Sequence, residues 1–240
     1  MKTPTLLTPL PGNVGQPKLP LGGLGIPVIM FLVTVYFWQS ALFFPIKMLT
    51  VLFHEMSHGF SAVLTGGSMH QINLSQDLGG ACWTAGGIRW IVLSAGYLGS
   101  LLWGSGLLLV ASHTRYDRQV VQVLGALLAA VTIVYVRPFV SFGFIFGLVM
   151  AGAFLLFAKH FGEIACDQML RYIGLTSSFY VILDIKSDLI DRNIPCSDAY
   201  RMGEMLMLPG WVVGIGWMLL ALFLTWQVLR SALGTVPKQP

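Results

Sequence analysis

Charged residues are scarce in this sequence of 240 residues. Lys, Arg, Asp and Glu make up 10% of the chain, whereas hydrophobic residues make up 55% and the mean hydropathy is +0.75. These values exclude an ordinary soluble domain and predict a polytopic helical membrane protein. The chain also has no basic run, so its net charge of +4 does not predict a nucleic-acid partner. Its scattered basic residues fit loop ends that face the lipid bilayer.

Cysteine is scarce as well. Cys82, Cys166 and Cys196 are odd in number and form no C-x-x-C pair, so nothing in the sequence predicts a disulfide framework. Residues 1–25 lack both an uninterrupted apolar core and a small-residue cleavage site. We therefore expect a flexible N-terminal tail there, and not a signal peptide.

Long apolar runs occupy most of the remaining chain. At 1.5 Å per residue, about 20 residues of helix cross a hydrocarbon layer of about 30 Å. The sequence predicts an all-α polytopic membrane protein with six to seven transmembrane helices in one domain, residues 26–230, and a C-terminal tail at 231–240. The runs lie at about 26–44, 45–65, 90–112, 120–136, 139–158, 167–185 and 206–228.

One segment departs from this helical pattern. Residues 68–85 alternate with a period of about two and contain a Gly79-Gly80 turn, which predicts a short β-hairpin. Open sheet edges cannot face lipid, so the hairpin must lie at the membrane interface or in a protein-lined cavity. An edge of this kind can bind an unwound peptide by strand addition. Asn73, Gly79 and Gly80 are therefore the expected substrate-binding positions, and a solvated connecting loop is the alternative interpretation.

The second apolar run contains the sequence His-Glu-Met-Ser-His at residues 54–58. On a helix, His54 and His58 share a face, so both imidazoles can bind one metal ion with Glu55 beside them as general base. This H-E-x-x-H pattern predicts a zinc hydrolase. A charge at membrane depth costs about 3 kcal/mol, so such groups are usually retained for function. The alternative is a polar kink packed against neighbouring helices.

A catalytic zinc ion takes three protein ligands, so one ligand is missing from this motif. A metzincin would need Gly and His where this chain has Ser61 and Leu64. Asp184 is the favoured third ligand, because it ends an apolar helix where an unpaired carboxylate is costly and coordination removes that cost. An interfacial helix-end carboxylate is the other interpretation. Weaker possibilities are Glu163, Glu204 and His70.

Several segments between about residues 45 and 220 carry a family resemblance. They are the 54–58 motif, Thr-Gly-Gly at 65–67 with its hairpin, residues 94–99, Leu-Asp at 183–184 and Ser-Asp-Ala at 197–199. Together they resemble the intramembrane metalloproteases of the site-2 protease type, peptidase family M50, in its M50B-like branch. The resemblance implies a zinc cofactor, a transmembrane protein substrate, two His and one Asp as ligands, and the Glu as general base. These roles carry over to His54, His58, Asp184 and Glu55.

The distal motif departs from the family pattern. That motif usually contains Asn-Pro and ends in Leu-Asp-Gly, whereas this chain has Thr-Ser-Ser at 176–178 and Leu-Asp-Ile at 183–185. The third ligand therefore stays open among Asp184, Asp188 and Asp198.

We expect an integral multi-pass protein of a bacterial-type inner membrane, with intramembrane proteolysis as its function. The alternative is a non-proteolytic membrane scaffold or binding protein that retains the M50 fold. A transporter is disfavoured, because the sequence has no visible internal repeat.

Overall fold

The computed structural model describes residues 22–186 and 197–234. Within these residues the chain forms eight α-helices and one two-stranded antiparallel sheet, and a short 3-10 turn, Ala41–Phe43, precedes the second helix. In chain order the elements are α1 Gly22–Tyr36, α2 Phe44–Leu64, β1 Ser68–Leu74, β2 Gly80–Ala85, α3 Arg89–His113, α4 Asp117–Tyr135, α5 Phe142–His160, α6 Glu163–Lys186, α7 Asp198–Leu206 and α8 Gly210–Gly234.

The predicted class is confirmed as mostly helical with a small antiparallel hairpin, and the hairpin lies within residues 68–85 as expected. Helix α1 begins before residue 26 and α8 continues past residue 230, so helical structure extends beyond the predicted domain at both ends. The predicted tails otherwise fall at residues 1–21 and 235–240, outside the described part of the chain.

Among the described residues, four helices are long and apolar enough to cross a membrane. They are α3, α4, α5 and α8 over Gly210–Ala232, whereas α1 is a shorter apolar helix. The predicted count of six to seven spans is therefore not confirmed. Helices α2 and α6 are less uniformly apolar because they carry buried polar groups that face protein and not lipid.

Helix α2 lies at the centre of the protein. Pro45 is in its first turn, where the missing N–H costs no helical hydrogen bond. Met48, Leu49 and Leu52 are completely buried in the main hydrophobic core. Helix α3 packs along α2, and both strands of the hairpin also pack against α2. The motif at residues 54–58 is therefore surrounded by protein.

The two strands of the hairpin differ in what lies along their outer edges. Strand β1 pairs with β2 on one side, while its residue Ile72 forms a parallel bridge with Val136 on the other. The Arg137 N–H reinforces this contact by donating to the Ile72 carbonyl at 2.9 Å. Within the described chain, no strand pairs with the outer edge of β2.

Arg171 fastens α6 to the end of α3. It is 6% exposed, and its Nε donates to both carboxylate oxygens of Asp167, at 2.8 and 2.9 Å. Its remaining nitrogens donate to the Ala111 carbonyl at 3.0 Å and the Ser112 hydroxyl at 3.2 Å. This network fixes two adjacent helices whose other ends, near Val92 and Asp184, border the functional site described below.

Replacing Asp167 with Ala should destabilise the protein by about 3 kcal/mol, because breaking a buried ion pair leaves the Arg171 charge uncompensated. Thermal unfolding of the purified protein in detergent measures the change. The matched control is Glu204→Ala, which removes an exposed carboxylate and should leave the melting temperature unchanged. Equal melting temperatures for both variants would contradict the structural role of this pair.

Candidate metal centre

Two histidines of α2 and one aspartate of α7 converge on a single point. His54 and His58 are one helical turn apart, and the Nε2 atom of each ring faces Asp198. The Oδ2 atom of Asp198 lies 3.0 Å from Nε2 of His54 and 2.9 Å from Nε2 of His58. The three side chains are between 11% and 15% exposed, so the cluster is nearly enclosed.

Asp198 is held at the first turn of α7. Ser197 caps that helix by accepting a hydrogen bond at Oγ from the Tyr200 N–H, and the helix begins at Asp198 itself. A carboxylate at a helix N-terminus is stabilised by the helix dipole. Burial acts to raise the pKa of Asp198, but the imidazoles of His58 and His54 outweigh it and hold that pKa well below its usual range. The side chain is therefore an anion at neutral pH.

This cluster fits a zinc ion. Two imidazole nitrogens and one carboxylate oxygen are zinc donors, and the three atoms lie within 4.8 Å of one another. Helix α3 leaves room beside them because residue 96 is glycine. A Cβ atom at Gly96 would overlap Nε2 of His54 and lie 2.5 Å from Nε2 of His58. Glycine is therefore required at the point where α3 approaches the two nitrogens.

The other ring nitrogens of the two histidines have different surroundings. Nδ1 of His58 lies 2.7 Å from the Val92 carbonyl, to which it donates when Nε2 is the ligand atom. Nδ1 of His54 is buried and makes no hydrogen bond among residues 22–186 and 197–234. The Oδ2 atom of Asp184 lies 3.7 Å from it. The ring of His54 also contacts Tyr97 edge to face, with centroids 5.1 Å apart.

Glu55 lies beneath strand β2. It is 6% exposed, and the backbone N–H of Cys82 lies near its carboxylate. A Cβ atom at Gly80 would lie 2.7 Å from Cγ and 2.8 Å from the carboxyl carbon of Glu55, so glycine permits this close approach. Burial beside Glu55 raises the pKa of the Cys82 thiol to about 12, which keeps that side chain uncharged at neutral pH.

All these groups open into one cavity of about 300 Å³. Its walls come from α2, strand β2, the beginning of α3, the end of α6 and the beginning of α7. Gly79 and Gly80, two of the three positions predicted to bind substrate, line this cavity. Asn73 is instead on β1, where it pairs with Ala81, and it is not part of the cavity wall.

A family model matches residues 28–228, which is most of the chain and includes every element of this site. The model describes peptidases that are M50B-like. The chain belongs to the Peptidase M50B-like family. Searches of curated proteins and of solved structures gave no significant match. The family assignment, with four membrane-capable helices, indicates a membrane protein of a peptidase family whose members are zinc metalloproteases.

The structure assigns different positions to two of the three aspartates that were open as the third ligand of this M50B-like protein. Asp198 faces both Nε2 atoms. Asp184, which the sequence favoured, lies at the end of α6. It faces Nδ1 of His54 and not Nε2, because α6 approaches the ring from the other side. Asp188 lies outside the described residues. The sequence signal for Asp198 was the Ser-Asp pair, which is typical of a helix N-terminus.

Replacing Gly96 with Ala should weaken zinc binding by roughly tenfold to a hundredfold. The new methyl group would collide with the two ligand nitrogens, and overpacking of this kind costs about 1 to 3 kcal/mol. Metal affinity of the purified protein, measured by competition with a chelator, gives the result. Gly106→Ala is the matched control, because it lies on the same helix and its new methyl group meets no atom within 4 Å. Wild-type affinity in Gly96→Ala would contradict the placement of the metal beside α3.

Proposed function

We propose that this protein is an intramembrane zinc metalloprotease that hydrolyses peptide bonds of membrane-embedded protein substrates. One observation carries the proposal. Two Nε2 atoms and one carboxylate oxygen converge beside Glu55, in a cavity that one strand edge of the hairpin also borders. A metal-binding group, a base and a peptide-binding edge are the three components that metal-assisted peptide hydrolysis requires.

In this proposal His54, His58 and Asp198 hold the zinc ion, and Glu55 is the general base. When bound, zinc would polarise a carbonyl group and lower the pKa of a water molecule towards neutral pH. Glu55 takes the proton of the attacking water and later delivers it to the leaving amine. The Cys82 N–H lies near the Glu55 carboxylate and stabilises its position before the substrate arrives. Glu55 is 6% exposed, which limits the access of bulk water to this proton transfer.

The hairpin supports a peptide substrate in extended form. A transmembrane helix has its amides hydrogen-bonded internally, so the scissile segment must unwind before a carbonyl becomes accessible. Strand β2 offers an unpaired edge within the described chain, and its residues 80–82 and 84 line the cavity. An unwound segment that pairs with this edge keeps its backbone hydrogen bonds satisfied while it lies next to Glu55. Helix-breaking residues in a target should therefore favour cleavage.

The complete set of site residues supports an enzyme more than a non-proteolytic scaffold. A scaffold has no use for a buried carboxylate beside two imidazoles, and burying three ionisable groups carries a cost. Both histidines, Glu55 and an ionised aspartate are nevertheless retained. We place the enzyme in a bacterial-type inner membrane, as expected from the multi-pass sequence.

Replacing Glu55 with Gln should lower proteolysis by about 10²- to 10⁴-fold while zinc stays bound, because the base is lost and the ligands remain. Two measurements check this. Metal analysis should find about one zinc per chain in both proteins, and sequencing of new peptide N-termini in membrane fractions should find fragments that only the wild type produces. A wild type without zinc would favour the scaffold. Identical fragments with Glu55→Gln would contradict the role of Glu55.

Replacing Gly80 with Ala should lower proteolysis by roughly tenfold or more with zinc binding unchanged, because the new methyl group displaces the base by overpacking and leaves the ligands in place. The same two measurements apply. Gly152→Ala is the control, since a methyl group there meets no atom within 4 Å. If Gly80→Ala cleaves as fast as the control, β2 does not lie against the base in the active enzyme.

A further inference from the structure

The two metal-facing histidines differ in how their rings are held. His58 has a backbone acceptor 2.7 Å from Nδ1, which fixes the ring and its tautomer. His54 has a buried Nδ1 that makes no hydrogen bond within residues 22–186 and 197–234. A histidine that binds metal through Nε2 carries its proton on Nδ1, and that N–H needs an acceptor when it is buried. The buried Nδ1–H of His54 would therefore need an acceptor.

Asp184 is the group in position to supply it. Its Oδ2 atom lies 3.7 Å from Nδ1 of His54, on the side of the ring opposite Asp198. A hydrogen bond forms at about 2.9 Å, so a shift of less than about 1 Å in either side chain would make one. The Asp184 side chain is 14% exposed and borders the same cavity as the metal-facing groups.

We propose that Asp184 is a positioning residue that accepts a hydrogen bond from Nδ1–H of His54 when the metal is bound. This inference rests on the proposed zinc function. Asp184 fixes the Nδ1–H tautomer of His54, aims Nε2 at the metal and makes that nitrogen more electron-rich, without touching the metal. His54 then lies between two carboxylates, with Asp198 at Nε2 and Asp184 at Nδ1.

The position of the Asp184 carboxylate distinguishes this role from that of a metal ligand. The three ligand atoms are mutually within 4.8 Å, and that group consists of His54, His58 and Asp198. Asp184 reaches the ring from the end of α6, on the side away from this group. Carboxylate–histidine–zinc arrangements are common in zinc sites, and loss of the outer carboxylate typically lowers metal affinity by about 10- to 100-fold.

The test compares full-length variants in lipid nanodiscs. Asp184→Leu removes the acceptor, Asp184→Asn keeps one oxygen of similar position, and Asp198→Asn alters the proposed ligand. Glu204→Gln is the matched control, because Glu204 is an exposed carboxylate on α7 itself. Zn²⁺ affinity is measured by competition with a chelator, and Co²⁺ absorption reports the coordination number and ligand set. Circular dichroism confirms that each variant is folded.

We expect Asp184→Leu to bind Zn²⁺ about 10- to 100-fold more weakly than wild type, with Asp184→Asn in between. Both should keep the Co²⁺ spectrum of the wild type, because the ligands are unchanged. Asp198→Asn should alter that spectrum, and Glu204→Gln should match the wild type in both measurements. The partial rescue by Asn is not expected from a merely structural role.

Two results would overturn the inference alone. Wild-type affinity in Asp184→Leu would show that the carboxylate does not orient His54. An altered Co²⁺ spectrum in Asp184→Leu, with an unaltered one in Asp198→Asn, would make Asp184 the ligand. If the wild type binds neither Zn²⁺ nor Co²⁺, the proposed function is refuted, and the role of Asp184 is refuted with it.

Discussion

The structure depends on enclosing a cluster of ionisable groups inside an apolar protein. His54, His58 and Asp198 meet within hydrogen-bonding distance, and each is nearly buried. Removing any one of these groups from water alone would be costly, but an anion between two imidazoles recovers much of that cost through direct interaction. A divalent cation at the same point would take over that compensation. The surrounding elements can be understood as the enclosure that this cluster requires.

That enclosure explains which helices are buried by protein and which keep much of their surface exposed. Helix α2 carries the histidines and is buried by α3 and the hairpin, while α6 brings Asp184 to the same cavity. The helices that are most uniformly apolar, including α4, α5 and α8, are the ones with much of their surface exposed. The count of six to seven spans that the apolar runs predicted is not confirmed among the described residues. A run can be apolar because it faces protein, and hydropathy does not distinguish the two environments.

The local half of the site was predictable from the sequence, and the distant half was not. His54, Glu55 and His58 lie within one helical turn, so helix geometry alone places them together. The hairpin was equally local, because both strands lie within 18 residues, 68–85, although the turn falls between Leu74 and Gly80 and not at the predicted Gly79-Gly80 pair. The choice between Asp184 and Asp198 depends instead on how the chain runs after α6 and on the direction from which α7 approaches. No pattern within either segment contains that information.

Asp184 still has a physical reason to lie beside the site, although Asp198 is the aspartate that faces both Nε2 atoms. A carboxylate at the end of an apolar helix needs compensation, and a ligand role was one way to obtain it. A hydrogen bond to a histidine N–H is another, and it is available on the side of His54 that α6 faces. Both aspartates can then belong to one site, because Nε2 of His54 faces the metal position beside Asp198 while its Nδ1–H faces Asp184. The ring of His54 thus links α6 to α7, two helices that the sequence separates by ten undescribed residues, 187–196. Metal binding at Nε2 would strengthen the Nδ1–H donor, so the two contacts of this ring would reinforce each other.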